Sequence, residues 1–185
     1  MEDGKRDSDG IVGDQQKPAA LKIYDNALGA EFTDELIQIF EANEKAHEVH
    51  EGDNHSFVEY NYTKYHKDEE IHGRLMEHLG QLYKFYLEAL GTTNMINVSG
   101  FEEIKIKKLG HHDLHINAVD HESAIRAVHF LFFLDDSEGN IDYPLQRMGV
   151  EARKGRVIIS PVSWEYPSNI HKSSKYICET FIHLA

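Results

Sequence analysis

The sequence predicts an α+β domain: helices early in the chain, then short strands after residue 96 that close best into a jelly roll or barrel. Two observations carry this reading. Apolar residues recur at helical spacing over residues 31–46 and 66–90, and beyond Gly91 the period changes from helical to two. A third bounds it: 185 residues with 41% apolar content suffice for one real core.

Residues 1–18 alternate acids, bases, Gly and Gln with almost no large apolar side chain, so they read as a flexible tail ahead of a single domain over 19–185. Leu21 to Tyr24 alternates as a strand does, and Asp25-Asn26 ends it. Phe32, Leu36, Ile37 and Phe40 form the apolar face of the first helix, with acids in its first turn where the helix dipole favours them. Residues 47–54 are polar and His-rich. They read as a solvated loop, because a metal tract would need partner ligands at fixed spacing.

His55 to Tyr62 alternates again. Ile71, Leu75, Leu79, Leu82, Tyr86 and Leu90 then make one stripe along a long helix that Gly91 closes, with His72 and His78 off the stripe and facing solvent. Ile104 and Ile106 alternate with lysines, Ala127 to Leu134 is nearly all apolar, Arg156 to Ile159 is another strand, and Tyr176 to Leu184 closes the set.

A net charge of −13, from 32 acidic against 19 basic residues, repels phosphate backbones and anionic membrane surfaces, so neither nucleic acid nor membrane is an expected partner. The longest uncharged apolar run, residues 127–134, is far too short to span a bilayer. The charged start Met1-Glu2-Asp3 is unlike a signal peptide, and the lone Cys178 cannot form an internal disulfide. Together these predict a soluble protein of the reducing cytoplasm. Cys178, inside an apolar strand, reads as a small buried hydrophobe rather than a nucleophile. Arg126 and Arg156 read as partners for acids at strand ends.

Six motifs in order then carry a family resemblance: Leu109-Gly-His-His-Asp-Leu-His115-Ile-Asn117; Arg126 to Asp136; Gly139-Asn-Ile-Asp-Tyr143; Val150 to Pro161; Trp164-Glu-Tyr-Pro-Ser168; and Lys175-Tyr-Ile. Over about the last 85 residues the chain resembles the iron(II)/2-oxoglutarate-dependent dioxygenases of the prolyl 4-hydroxylase-like type. The resemblance implies a double-stranded β-helix, cupin-like, over about 96–185, with the helices packed on one sheet. It also implies an iron(II) site of two His and one carboxylate that leaves positions open for 2-oxoglutarate and oxygen.

Carried over residue by residue, His115 takes the first ligand position, Asn117 stands where the carboxylate is expected, and Ser168 where the second His is expected. A neutral amide and a hydroxyl are poor donors for iron(II), and the site loses the charge that offsets a dication. His129, His171 and His111 are the substitute ligands the sequence offers. On the co-substrate side the resemblance sets Lys175 against the distal carboxylate of 2-oxoglutarate, pointing into the barrel, with Phe133 in place of a hydrogen-bonding tyrosine and His129 on the same strand face. Two functions follow from these residues. One is a hydroxylase-like oxygenase with an atypical or weakened site, acting on a small molecule or a protein side chain. The other is a non-catalytic jelly-roll binding protein or partner of an active oxygenase.

Overall fold

The computed structural model describes residues 20–53, 55–92, 98–115, 123–163, 165–171 and 175–185, with backbone alone for 111–115, 170 and 171. The tail over 1–18 and Asn117 lie outside these residues. In chain order the elements are β1 (Lys22–Tyr24), α1 (Ala30–Ala42), β2 (Glu48–Gly52), β3 (His55–Asn61), α2 (Tyr62–His66), α3 (Glu70–Leu90) and β4 (Val98–Phe101). The second half holds β5 (Lys105–His115), β6 (Arg126–Phe133), β7 (Asn140–Tyr143), β8 (Met148–Glu151), β9 (Val157–Pro161), β10 (Ser168–His171) and β11 (Tyr176–Leu184).

The strand order β1-β9-β6-β11-β5-β10-β7-β8 folds into two layers because the long strand β5 serves both. Its first half pairs with β11, as in Ile106 opposite Cys178, and its second half pairs with β10, as in His115 opposite Ser168. Sheet β9-β6-β11-β5 therefore faces sheet β5-β10-β7-β8, the double-stranded β-helix that the resemblance implies. All strand pairs described are antiparallel. Gly110, between the two halves of β5, lies so close to β3 that a Cβ would stand 2.9 Å from the Ser56 carbonyl oxygen.

Period-two alternation sorts side chains between two cores. Ile106, Val128, Phe130, Phe132, Cys178 and Ile182 face outward onto the helices, where Phe32, Leu36 and Phe40 of α1 and the α3 stripe cover them. Leu131, Phe133, Ile141, Val150, Ile158 and Ile177 face inward and fill the gap between the two sheets. Gly91 ends α3 in the left-handed region at φ 67°, as the sequence predicts for a glycine cap.

Four expectations need correction. The first helix stops at Ala42, and a 3-10 turn over Glu44–Ala46 completes the span. The second begins at Glu70 rather than 66, and a separate short helix, α2, precedes it over Tyr62–His66. Residues 47–54 are not a loop: β2 occupies most of them, paired with β3 from Glu48 opposite Glu59 to Gly52 opposite His55. His72 is half-buried against Tyr62, their ring centroids 6.0 Å apart, whereas His78 is exposed as expected. Cys178 is buried, which pushes its thiol well above the ordinary range and keeps it inert. Arg156 pairs with Asp25 at 2.6 Å, and Arg126 holds Glu102 through two hydrogen bonds of 2.7 and 2.8 Å.

Candidate functional site

The inner core fills one end of the barrel, and a cavity of about 230 Å³ occupies the other. It is walled by β3, β5, β6 and β11, with Ser168 of β10 reaching it from the opposite sheet. Inward-facing positions that hold Leu131 and Ile177 deeper down hold His129 and Glu179 here. Alternation dictates this: Glu179 and Phe181 share the face of Ile177, and Lys105 and Lys107 share the face of Leu109.

These charges are bound to one another. Lys107 Nζ donates to Glu179 at 2.6 Å and reaches Glu59 at 3.3 Å, and Lys105 Nζ donates to Glu59 at 2.7 Å. The second Glu179 oxygen is 3.2 Å from His129 Nε2, which must donate because an ionised carboxylate can only accept. His129 is 4% exposed and stacks on Phe181 with centroids 4.5 Å apart. Desolvation alone would raise the Glu179 carboxyl, but Lys107 and the His129 bond outweigh it and hold the group well below the usual carboxylate range. Burial likewise pulls Lys107 down, and Glu179 with Glu59 more than restores it, leaving the ammonium raised. At the rim Glu102 takes Arg126 and His183, the latter at 3.0 Å, and these keep it below the usual range against the upward push of desolvation.

The residues singled out in the sequence are placed as follows. His115 and Ser168 are direct neighbours across β5 and β10, so the fold brings two of the three expected ligand positions together. Ser168 is buried and lines the cavity. His129 lines it too, committed to Glu179. Phe133 is wholly buried in the inner core. His171 lies opposite Asn140 on β7, and the backbone of His111 belongs to β5; the side chains of His111, His115 and His171 fall outside the described atoms.

Lys175 is a correction. It precedes β11, is exposed, and sits over the Tyr176 ring at 5.3 Å rather than inside the barrel. Among the described residues the cations that line the cavity are Lys105, Lys107 and Arg126, and Lys107, bound to Glu179 and Glu59, is the one that sequence reasoning missed together with those two carboxylates. One signal was present: Glu179 is a lone charge in the apolar run from Tyr176 to Ile182.

Several solved structures share this two-layer arrangement. A viral collagen prolyl hydroxylase from Paramecium Bursaria Chlorella virus-1, solved with 2OG, is 15% identical at a TM-score of 0.61, covering 91% of this chain and 97% of its own. The fold is that of the prolyl 4-hydroxylases. A Trichoplax adhaerens prolyl hydroxylase, solved with a peptide of the hypoxia inducible factor oxygen degradation domain, has 13% identity and a TM-score of 0.67, covering 90% of this chain and 84% of its own. A Pseudomonas putida prolyl-4-hydroxylase has 11% identity and a TM-score of 0.65, with 91% and 94% covered. No protein-family model matches the sequence, and no curated protein matches it. At these identities the likeness is one of prolyl 4-hydroxylase fold.

The groups implied by that fold do not suit the residues present. By the resemblance, the positions set against iron(II) carry an imidazole at 115, an amide at 117 and a hydroxyl at 168, a donor set without the expected carboxylate, and of these side chains only Ser168 falls within the described atoms. A dicarboxylate co-substrate would meet Glu179 inside the cavity, and the internal cation nearest to it is already neutralised at 2.6 Å.

Proposed function

We propose that this chain is a non-catalytic, or at most weakly active, jelly-roll binding protein on the prolyl 4-hydroxylase fold. The single observation that carries the reading is the cavity interior, where an ionised Glu179 is held by Lys107 and His129 and would repel a dicarboxylate co-substrate. The substitutions at Asn117 and Ser168 agree with it, since each replaces a strong iron donor by a neutral oxygen. What remains is a small cavity with aromatic walls at Phe57 and Phe181 and polar groups already satisfied by one another. Such a cavity suits a small uncharged molecule or a single protein side chain, and a retained oxygenase reaction is the second reading. Among the described residues no helix is long and apolar enough to cross a membrane. With a buried free thiol at Cys178, a reducing compartment such as the cytoplasm is the expected setting.

Iron(II) titration with and without 2-oxoglutarate, with succinate release as readout, tests this. The unmodified protein is expected to bind iron weakly and release little succinate. Asn117→Asp combined with Ser168→His should tighten iron binding by more than the two single changes together, since by the resemblance positions 117 and 168 face one another on adjacent strands. Tight iron binding and brisk succinate release by the unmodified protein would overturn the proposal.

A further inference from the structure

The structure carries a second polar cluster on the hairpin that walls the cavity. Glu48 lies directly opposite Glu59 across β2 and β3, and His50 is two residues further along β2, so the three side chains share one face. One ligand atom from each lies within 4.8 Å of the others, the one such trio of metal-ligating side chains among the described residues. Like charges facing each other across a strand pair are destabilising and call for a counter-charge. Lys105 and Lys107 supply two positive charges, but Lys107 is shared with Glu179, so three carboxylates face two ammoniums.

The independent observation is His50. Its Nε2 is shut off from water and has no hydrogen-bond partner, a costly state for an imidazole nitrogen that a lone-pair acceptor such as a metal ion relieves. The ring is also held in place, stacked on Phe57 with centroids 4.5 Å apart.

We propose that Glu48, His50 and Glu59 form a divalent-cation site that clamps the β2–β3 hairpin beside the cavity. One imidazole and two carboxylates suit zinc(II), whose ligand atoms at about 2.0–2.2 Å from the ion stand roughly 3.4 Å apart, within reach of rotamer adjustments from the observed spacing. Glu59 is 6% exposed and fixed by two lysines, so it is the rigid member, while exposed Glu48 swings to close the site. The clamp bears on the cavity through Phe57, which the His50 ring touches on one side and the Lys107 ammonium approaches at 4.5 Å. This site stands apart from the jelly-roll ligand positions and does not rest on the function proposed for the cavity.

The test is zinc(II) titration of the tag-free, metal-stripped full chain by calorimetry, with cobalt(II) visible absorption reporting coordination. One zinc per chain is expected. His50→Ala and Glu48→Gln should each weaken binding at least about tenfold, and Lys105→Met, which frees a Glu59 oxygen, should strengthen it. His115→Ala should leave it unchanged. Absence of micromolar zinc binding by the unmodified chain, undiminished binding by His50→Ala and Glu48→Gln, or loss on His115→Ala instead would each overturn the proposal.

Discussion

Glu179→Gln is the most informative change to the interior network, because it keeps the volume and most of the hydrogen-bonding capacity and removes only the charge. Two charge-assisted bonds weaken, one to Lys107 at 2.6 Å and one from His129 at 3.2 Å, each worth about 1.5–3 kcal/mol. Removing one partner of a buried pair costs about 3–5 kcal/mol. Lys107 keeps Glu59 at 3.3 Å, which favours the lower end, about 3 kcal/mol. For a chain of this size that is a fall in melting temperature of roughly 6–12 °C.

The pH dependence has a definite sign. The folded Glu179 carboxyl lies below its usual 4.5, so its stabilisation is present above 4.5 and lost as pH falls through the folded value. The Lys107 ammonium lies above its usual 10.5, so its contribution is present below 10.5 and lost as pH rises through the folded value. Urea unfolding at neutral pH should show the full difference between wild type and Glu179→Gln, and acidification below 4.5 should shrink it. A difference under about 1 kcal/mol at neutral pH, or one that survives acidification intact, would refute the claim that this ion pair holds the barrel interior.

Lys175→Met should shift stability by less than about 0.5 kcal/mol, and urea unfolding checks it, because the side chain is exposed. Leu75→Ala, at a fully buried position of α3, should cost about 2–5 kcal/mol in the same assay with little change of slope.

The elements most legible in the sequence were those whose pattern and burial coincide. Five residues of the α3 stripe, from Ile71 to Tyr86, are buried, and Gly91 ends that helix, because a helix lying on a sheet needs one apolar face and a glycine cap. β2 was illegible because Glu-Val-His-Glu-Gly has no apolar alternation of its own; it is a strand by virtue of β3, and its Val49 is 66% exposed. The alternation of Ile104 and Ile106 with lysines was visible, but a two-layer barrel has an inside on the face away from the helices. Periodicity alone could not label Lys107 as inward. Lys175 was placed inward by analogy of sequence order; in the fold β11 begins one residue later, and its inward positions are Ile177, Glu179 and Phe181.

That register bears directly on the chemistry. An anion entering the cavity must compete for Lys107 with a carboxylate tethered on the neighbouring strand, already desolvated and already in contact. The tethered group forfeits no translational freedom on binding, whereas a free dicarboxylate does, and must shed its own hydration as well. Displacing Glu179 would also strand it beside His129 without its principal cation, at the cost of an unpaired buried charge. Glu59 tightens the balance further, since the same carboxylate that steadies Lys105 and Lys107 faces Glu48 and belongs to the hairpin cluster. A cation on that cluster would draw on Glu59 and lean Lys107 more strongly on Glu179. Metal on the hairpin and anion exclusion from the barrel are therefore coupled with the same sign.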